Sequence, residues 1–179
     1  MKFTETKLRG AYVIEPEPDA DERGFFARTW SRLEFAERGL DPDLSECAIS
    51  FNHRSGTLRG LHYQVVPFEE TKLVRCTAGA IYDVIVDLRA DSQTRGAWQA
   101  FELSAANRRL LYVPKGFAHG FQTIADNTEV HYQLTGRYAP SHARGIRWDD
   151  PALGVEWPAV SQRIMSSRDR QLPVMQAVQ

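Results

Sequence analysis

Short runs of alternating apolar and polar residues cover most of the chain, and Gly, Pro, Asp and Asn residues separate them. This period of two is typical of β-strands, because successive side chains of a strand point to opposite faces of a sheet. The pattern predicts strands at Ala11 to Ile14, Phe25 to Trp30, Ser45 to Phe51, Thr57 to Gln64, Lys72 to Thr77, Ile81 to Leu88, Trp98 to Leu103, Leu110 to Val113, Phe117 to Ile124 and Thr128 to Thr135. We therefore expect an antiparallel sandwich or barrel.

The clearest alternation lies between Ile81 and Leu88. Tyr82, Val84 and Val86 share one face of this strand with Leu88, and we expect that face to point into the core.

One segment predicts a helix instead of a strand. Ser31 is placed to cap its start, Glu34 completes a capping box, and Gly39 suits the left-handed residue that follows a helix end.

The order of elements predicts one all-β domain over residues 1–179. Closure of about ten short strands into a jelly roll leaves few exposed edges, and the mouth of such a barrel is a common ligand site. From Ala139 onward the alternation fades, and we expect this tail to fold back across the barrel.

Composition narrows the classes of partner. The formal net charge is −1 and the basic residues are dispersed, which argues against a nucleic-acid-binding protein. The N-terminus lacks an apolar signal region, and no run approaches the ~18 apolar residues of a membrane span, so we expect a cytoplasmic protein without a membrane partner. Cys47 and Cys76 are expected to be reduced core residues.

The first segment with candidate chemistry contains Arg59, Gly60 and His62. Strict alternation places Arg59 and His62 on opposite faces, but a bulge at Gly60 would turn both toward one cavity. The alternative is a core histidine beside an arginine at the rim.

Lys72 offers a second candidate because it shares a strand face with the apolar residues Val74 and Cys76. A buried ammonium is costly unless it meets an anion, so an inward lysine would suit an enolate oxygen or a phosphate. The alternative is an edge-strand lysine that prevents aggregation.

The segment from Val113 to Phe121, with His119 near its centre, resembles the second motif of cupin barrels. Metal-binding cupins use this histidine together with a His-x-His pair, whereas the matching place here reads His62-Tyr63-Gln64. Because at most two histidines are available from these strands, we expect no bound metal.

Two further positions carry groups suited to acid–base work. Tyr132 and Tyr138 lie close together in sequence, and either could serve in packing alone. Asp169 stands between Arg168 and Arg170, and a carboxylate folded back onto a histidine would orient it and stabilise its protonated form.

Taken together, these segments resemble the deoxythymidine-diphosphate-4-dehydrorhamnose 3,5-epimerase family over nearly the whole chain. The resemblance rests on Asp21 to Phe26, Thr57 to Gln64, Lys72 to Arg75, Tyr82 to Arg89, Val113 to Phe121, Tyr132, Tyr138 to Pro140, Arg147 to Pro151 and Ser166 to Asp169. It implies a double-stranded β-helix of the cupin type with few short helices, a nucleotide-sugar substrate, no cofactor, and a homodimer that shares strands across its interface.

The resemblance also implies roles in the inversion of the carbons beside a C4 ketone. His62 corresponds to the base and Asp169 to its paired carboxylate, and the ordinary histidine pKa of ~6.5 suits proton abstraction near neutral pH. Tyr132 corresponds to the acid on the opposite face. Lys72 corresponds to the group that stabilises charge on the C4 oxygen, with His119 as a supporting donor.

The same resemblance implies contacts with the nucleotide. Arg23 and Arg59 correspond to diphosphate ligands, and Phe26 and Tyr138 to an aromatic pair around the base.

Departures from the family concentrate at the nucleotide. Arg28 stands where a glutamate is usual, and Cys47 and Ile49 occupy the places of a glutamine and an asparagine if the spacing has no gap. Asn52 and His53 are the candidates to replace them, so Arg28 and Asn52 join the expected substrate contacts.

Three alternatives remain open. A related sugar-nucleotide 3-epimerase or ketoisomerase would use the same cavity with other protonation partners. A metal-dependent cupin oxygenase would hold iron or another transition metal. A binding module would hold the sugar nucleotide without exchanging its hydrogens with solvent.

Overall fold

The computed structural model describes residues 1–175 and places two antiparallel sheets face to face. Within this range the chain forms thirteen strands and two short helices. The strands are β1 Lys2–Glu5, β2 Tyr12–Glu15, β3 Asp19–Asp21, β4 Gly24–Phe26, β5 Glu46–Asn52, β6 Leu58–Gln64, β7 Lys72–Ala78, β8 Ala80–Asp87, β9 Trp98–Ser104, β10 Leu110–Val113, β11 Phe117–Thr123, β12 Thr128–Leu134 and β13 Ala143–Gly145, and the helices are α1 Arg32–Glu37 and α2 Ser167–Arg170. This confirms the predicted all-β jelly-roll barrel with few helices.

One sheet has six strands in the order β1-β2-β10-β7-β12-β5, and the other has five in the order β13-β6-β11-β8-β9. Strands β3 and β4 form a separate hairpin. Neighbours in space are mostly not neighbours in sequence, so the chain crosses between the sheets as it proceeds. Two strands that end far apart in sequence, such as β6 and β11, can therefore present side chains to one cavity.

The main core fills the space between the two sheets. Its members are apolar residues that alternate along strands of both sheets, and they are almost fully buried: Leu8, Ala11, Val74, Cys76, Ile81, Ile85, Leu103, Leu111, Val113, Phe117, Phe121 and Val130. Burial of each large side chain of this kind contributes about 1.5–3 kcal/mol.

The alternating strand β8 buries both of its faces. Val84 and Val86 do share a face, as predicted, but that face packs against the C-terminal segment on the outside of the five-stranded sheet. The face toward the other sheet carries Ile81, Asp83 and Ile85. The expectation that this face is buried in a core is confirmed. Alternation identifies the two faces of a strand but does not reveal which one meets the partner sheet.

The C-terminal segment folds back over the barrel, which confirms the prediction for the tail. Ile146 and Leu153 are buried against Leu61 of β6, and Trp157 packs on the same cluster. Farther along, Ile164 pairs with Thr57. This path carries α2 to the edge of β6.

Helix α1 begins and ends as its sequence predicts. The Ser31 side chain accepts a hydrogen bond from the backbone N–H of Glu34 at 3.4 Å. At the other end Gly39 adopts a φ of +70°, and the N–H of Leu40 donates to the Phe35 carbonyl at 3.0 Å. Phe35 is buried on the outer face of the six-stranded sheet.

Several details differ from the predictions. The strand that begins near Phe25 ends at Phe26 and does not reach Trp30. Cys76 is buried, as expected, but Cys47 is exposed, because its side chain projects from the outer face of β5. Neither helix in the described residues is long and apolar enough to span a membrane.

Candidate active site

A cavity of about 430 Å³ opens between the two sheets. Most of the residues that line it are polar, and they come from both sheets and from the C-terminal segment: Ala48, Ser50, Arg59, His62, Tyr63, Gln64, Glu70, Lys72, His119, Gly120, Tyr132, Leu134, Tyr138, Ala143, Arg144, Ser166, Arg168 and Asp169. Seven of the eleven residues predicted for the site are among them.

The most distinctive pair in the cavity joins β6 to α2. Nε2 of His62 lies 2.8 Å from Oδ1 of Asp169, although the two residues are 107 positions apart. The other carboxylate oxygen accepts a hydrogen bond from the N–H of Gly60 at 3.4 Å, and Ser166 caps α2 by accepting from the N–H of Asp169 at 3.0 Å. The carboxylate is 5% exposed, so it is held rigidly beneath the imidazole.

These contacts keep Asp169 ionised. Burial acts to raise the pKa of Asp169, but the hydrogen bond and charge of His62, with the Gly60 N–H and Ser166, lower it below its usual value. An ionised Asp169 orients His62 and stabilises its protonated form.

An irregularity in β6 brings Arg59 to the same cavity as His62. The register with β11 shifts between the His119–His62 and Phe121–Arg59 pairs, as the predicted bulge requires. Gly60 has a φ of +121°, and a Cβ at this position would lie 2.6 Å from the Cα of Gly120. Only glycine fits here, because a side chain would collide with the neighbouring backbone.

Asn52 supports Arg59 from behind. It is 2% exposed, and its Oδ1 accepts a hydrogen bond from Nε of Arg59 at 2.8 Å. Its amide nitrogen donates to the carbonyl of Thr128 at 3.2 Å. Asn52 was predicted to contact the substrate, but here its side chain fixes the arginine at the cavity rim.

Lys72 points inward from β7, as the apolar character of its strand face predicted. Its side chain is 10% exposed, and Nζ lies 3.3 Å from Oε1 of Glu70. The ammonium also donates to the carbonyl of His62 at 3.2 Å. Burial lowers the pKa of Lys72, and the charge of Glu70 partly offsets this effect.

His119 and Tyr132 face each other from the two sheets. Their rings meet edge to face with centroids 5.9 Å apart. Nε2 of His119 lies 2.8 Å from Oδ1 of Asp83, which is fully buried. Burial, reinforced by the charge of Asp83, raises the pKa of the Tyr132 phenol, so that it remains protonated.

The rim of the cavity carries positive charge that the sequence did not reveal. Arg144 and Arg168 line it together with Arg59, and Tyr138 lies among them with 53% of its surface exposed. Arg144 belongs to the three-residue strand β13 and Arg168 to the four-residue helix α2. Elements this short have no readable periodicity, so only the pairing in space identifies these arginines.

Three predicted nucleotide contacts lie away from the cavity of the same chain. Arg23 and Phe26 belong to the exposed β3–β4 hairpin, where Arg23 pairs with Asp21 and Phe26 is 76% exposed. Arg28 follows this hairpin and lies 3.6 Å from Glu34. Within one copy of the chain, these side chains do not meet His62.

Cys47 and Ile49 do not line the cavity. Ile49 is 64% exposed, and like Cys47 it projects from the outer face of β5. Ala48 and Ser50 point into the cavity instead. Because the faces of β5 alternate, Asn52 shares the inner face with Ala48 and Ser50 and lies beside Arg59.

The donor set of the cavity does not match a metal centre. Among residues 1–175, no three side chains of His, Cys, Asp or Glu lie together in an arrangement that could hold a metal ion. His62 and His119 are each paired with their own aspartate. These groups are arranged for proton transfer.

Comparison with known proteins gives a consistent result. A family model described as dTDP-4-dehydrorhamnose 3,5-epimerase matches residues 5–177. The dTDP-4-dehydrorhamnose 3,5-epimerase of Methanothermobacter thermautotrophicus is 44% identical over 172 residues, which cover 95% of this chain and 92% of that protein.

Solved structures extend the similarity to three dimensions. The chain resembles the dTDP-4-dehydrorhamnose 3,5-epimerase of Bacillus anthracis with TDP and PPi bound, at a TM-score of 0.93 and 42% identity over 97% of this chain and 99% of that one. It also resembles the 3,5-epimerase of Legionella pneumophila in complex with dTDP-4-keto-L-rhamnose, at a TM-score of 0.89 and 34% identity over 98% and 99% of the two chains.

Proposed function

The chain belongs to the dTDP-4-dehydrorhamnose 3,5-epimerase family, and we propose that His62, Tyr132 and Lys72 carry out the reaction of that family in the cavity between the sheets. The enzyme acts on a dTDP-linked 4-keto-6-deoxyhexose in rhamnose biosynthesis and inverts its C3 and C5 centres. One observation carries the assignment of roles: His62, paired with Asp169 of α2, belongs to one sheet, and the protonated Tyr132 belongs to the other.

The chemistry requires groups on two faces of one sugar. The C4 ketone acidifies the hydrogens on C3 and C5, so a base can remove each as a proton and leave an enolate. Inversion follows when a second group returns a proton to the opposite face. His62 removes the proton, Asp169 stabilises the resulting imidazolium, and Tyr132 delivers a proton from the facing sheet.

Lys72 stabilises the enolate oxygen. The buried ammonium is already fixed by Glu70 and by the carbonyl of His62, so little reorganisation is needed as charge develops on the C4 oxygen. His119, held by Asp83, is the supporting donor. A preorganised donor of this kind is worth about 2.7–4 kcal/mol in oxyanion sites.

The cationic rim binds the diphosphate. Arg59, Arg144 and Arg168 surround the opening of the cavity, and guanidinium groups bind phosphate oxygens through paired hydrogen bonds. Tyr138 lies at the same opening and offers an aromatic face to the nucleotide base.

A second copy of the chain completes the nucleotide site. The exposed apolar residues Phe25, Phe26, Ile49 and Phe51 project from the β3–β4 hairpin and from the outer face of β5. On the adjoining β7 and β12, the buried Arg75 Nε and His131 Nδ1 have no hydrogen-bond partner among the described residues. An apolar face with unsatisfied donors suits a homodimer interface. Across it, Arg23 and Phe26 of the partner subunit would reach the cavity.

Three further expectations remain predictions. They are a single domain over residues 1–179, a cytoplasmic location, and activity without a metal or cofactor.

The test of the assigned roles compares His62→Asn with Tyr132→Phe in deuterated water. We expect His62→Asn to slow deuterium exchange at C3 and C5 by about 10²–10⁴-fold while dTDP affinity stays within about twofold. Tyr132→Phe keeps the base, so exchange should continue while inverted product falls by a similar factor. Rapid exchange in His62→Asn, or normal inversion in Tyr132→Phe, would contradict the respective role.

A further inference from the structure

One buried amide contacts parts of the cavity that lie on different elements. Gln64 ends β6, two residues after His62, and is 5% exposed. Its Nε2 lies 2.8 Å from Oε2 of Glu70, 3.0 Å from the Phe68 carbonyl and 3.1 Å from the Arg137 carbonyl. Its Oε1 accepts a hydrogen bond from the N–H of Ala139 at 2.7 Å. The amide therefore uses both its donor and its acceptor atoms.

The contact with Glu70 extends to the lysine of the site. Oε1 of Glu70 lies 3.3 Å from Nζ of Lys72, and both side chains are 10% exposed. Gln64 holds the other oxygen of the same carboxylate. Because Glu70 is the counterion of a buried ammonium, its orientation fixes where the positive charge of Lys72 stands in the cavity.

The other contacts of Gln64 lie on either side of Tyr138, the aromatic residue proposed to meet the nucleotide base. The carbonyl of Arg137 and the N–H of Ala139 flank Tyr138, and Gln64 bonds to both of them. This backbone lies in the irregular segment between β12 and β13, where no ladder hydrogen bonds constrain it. The amide of Gln64 replaces that missing constraint.

We propose that Gln64 is a positioning residue that sets Lys72 and Tyr138 in place together, so that one side chain holds both the enolate end and the nucleotide end of the cavity. This inference rests on the roles given to Lys72 and Tyr138 in the proposed function. Gln64 itself acts through its neighbours.

The main test replaces Gln64 by leucine, which has a similar volume and neither donor nor acceptor. Two quantities are measured: the Kd for dTDP and the rate of C3 and C5 deuterium exchange at saturating substrate. We expect each to worsen by about tenfold to a hundredfold, because misplacement of a positioned group by about 1 Å costs that much. Lys72→Met should affect mainly the exchange rate, and Tyr138→Ala mainly the Kd.

Gln122→Leu provides a matched control. Gln122 is also a fully buried strand glutamine, but its amide bonds to the Pro158 carbonyl and to Arg163, outside the cavity. We expect Gln122→Leu to lose stability while its folded fraction keeps the wild-type Kd and exchange rate within about twofold. It separates the loss of a buried hydrogen bond from the loss of positioning.

A double variant tests the link to Tyr138. If Gln64 acts on dTDP through Tyr138, then Gln64→Leu combined with Tyr138→Ala binds dTDP no more weakly than Tyr138→Ala alone. Additive losses would overturn this link.

Gln64→Glu provides a second, independent readout if the leucine variant does not fold. Its carboxylate still accepts from the Ala139 N–H but can donate neither to Glu70 nor to the Arg137 carbonyl, so both the exchange rate and the dTDP affinity should fall. Protonation restores one donor, and the exchange rate relative to wild type should recover as the pH is lowered. A ratio that does not change with pH would overturn the proposal.

The possible failures can be told apart. Suppose that Lys72→Met and Tyr138→Ala lose function while Gln64→Leu keeps its exchange rate and Kd within about twofold of wild type. That result would overturn the role of Gln64 alone. Reference variants that keep wild-type values would contradict the proposed function from which the inference starts.

Discussion

The carboxylate of Asp169 lies directly against His62, the proposed catalytic base. It is buried beneath His62 at 2.8 Å and remains ionised because the imidazole and the surrounding donors outweigh the effect of burial on its pKa. Its negative charge favours the imidazolium that forms when His62 accepts a proton. An amide in its place would keep the hydrogen bond but lose that charge.

We predict that Asp169→Asn lowers the deuterium exchange rate by about 10²–10⁴-fold, with dTDP affinity almost unchanged. The pKa of Asp169 is lowered in the folded state, so its contribution to stability is present above the unfolded-state pKa of about 3.9 and is lost as the pH falls through the folded value. Urea unfolding between about pH 5 and about pH 2, where the carboxylate titrates, should therefore show wild type losing stability relative to Asp169→Asn as the pH falls. A difference that is constant with pH would contradict the ionised pair.

The cavity residues with titratable or catalytic side chains were predictable from the sequence, whereas the residues that hold them in place were not. His62, Lys72, His119, Tyr132 and Asp169 all lie in the cavity. Glu70, Gln64, Arg144 and Arg168 were missed, since an isolated glutamate or arginine in a polar stretch resembles any solvated side chain. Their contribution depends on contacts between distant segments.

Helix α2 is only four residues long, yet it places Asp169 against His62. Four residues suffice to hold Asp169 because the helix is capped by Ser166 and packs at the edge of β6. The Ser166 hydroxyl therefore helps to set the position of the carboxylate, together with His62 and the Gly60 N–H.

We predict that Ser166→Ala destabilises the protein by about 1 kcal/mol, or about 2–4 °C in Tm for a chain of this size, and lowers the exchange rate several-fold. The neighbouring exposed Ser167 gives the control Ser167→Ala, in which calorimetry and exchange should both stay near wild type. Equal effects of the two substitutions would show that the cap does not position Asp169.

The long strands and α1 were predictable because their periodicity and capping residues are local signals. Strands β1, β3 and β13 and helix α2 span three or four residues each, too few for a period to emerge. Which face of β8 meets the other sheet, and which residues of β5 face the cavity, could not be read from the sequence. Both depend on which strand pairs with which, and pairing is not encoded within one strand.

Under the proposed function, one copy of the molecule does not complete the nucleotide site. The cavity holds the groups for proton transfer, whereas Arg23 and Phe26 stand on an exposed hairpin away from it. A dimer that exchanges these hairpins would give two complete sites from two incomplete ones.

We predict complementation between two inactive variants. A mixed dimer of one copy with His62→Asn and one with Arg23→Ala and Phe26→Ala has one site with both an intact base and an intact hairpin. Differently tagged copies, coexpressed and purified through both tags, should recover about half of the wild-type activity per dimer, with molar mass measured by light scattering. Activity no higher than that of the two separate variants, or a monomer in solution, would contradict the shared site.

The central claim is that this cavity inverts both carbons beside the ketone through its own side chains. Proton NMR of dTDP-4-keto-6-deoxyglucose in deuterated water, with chelator-treated protein and the chelator still present, tests it most directly. We expect the C3 and C5 proton signals both to disappear at the same rate as with untreated protein, and the inverted product to accumulate. Persistence of both signals, with exchange restored only by an added metal ion, would contradict it.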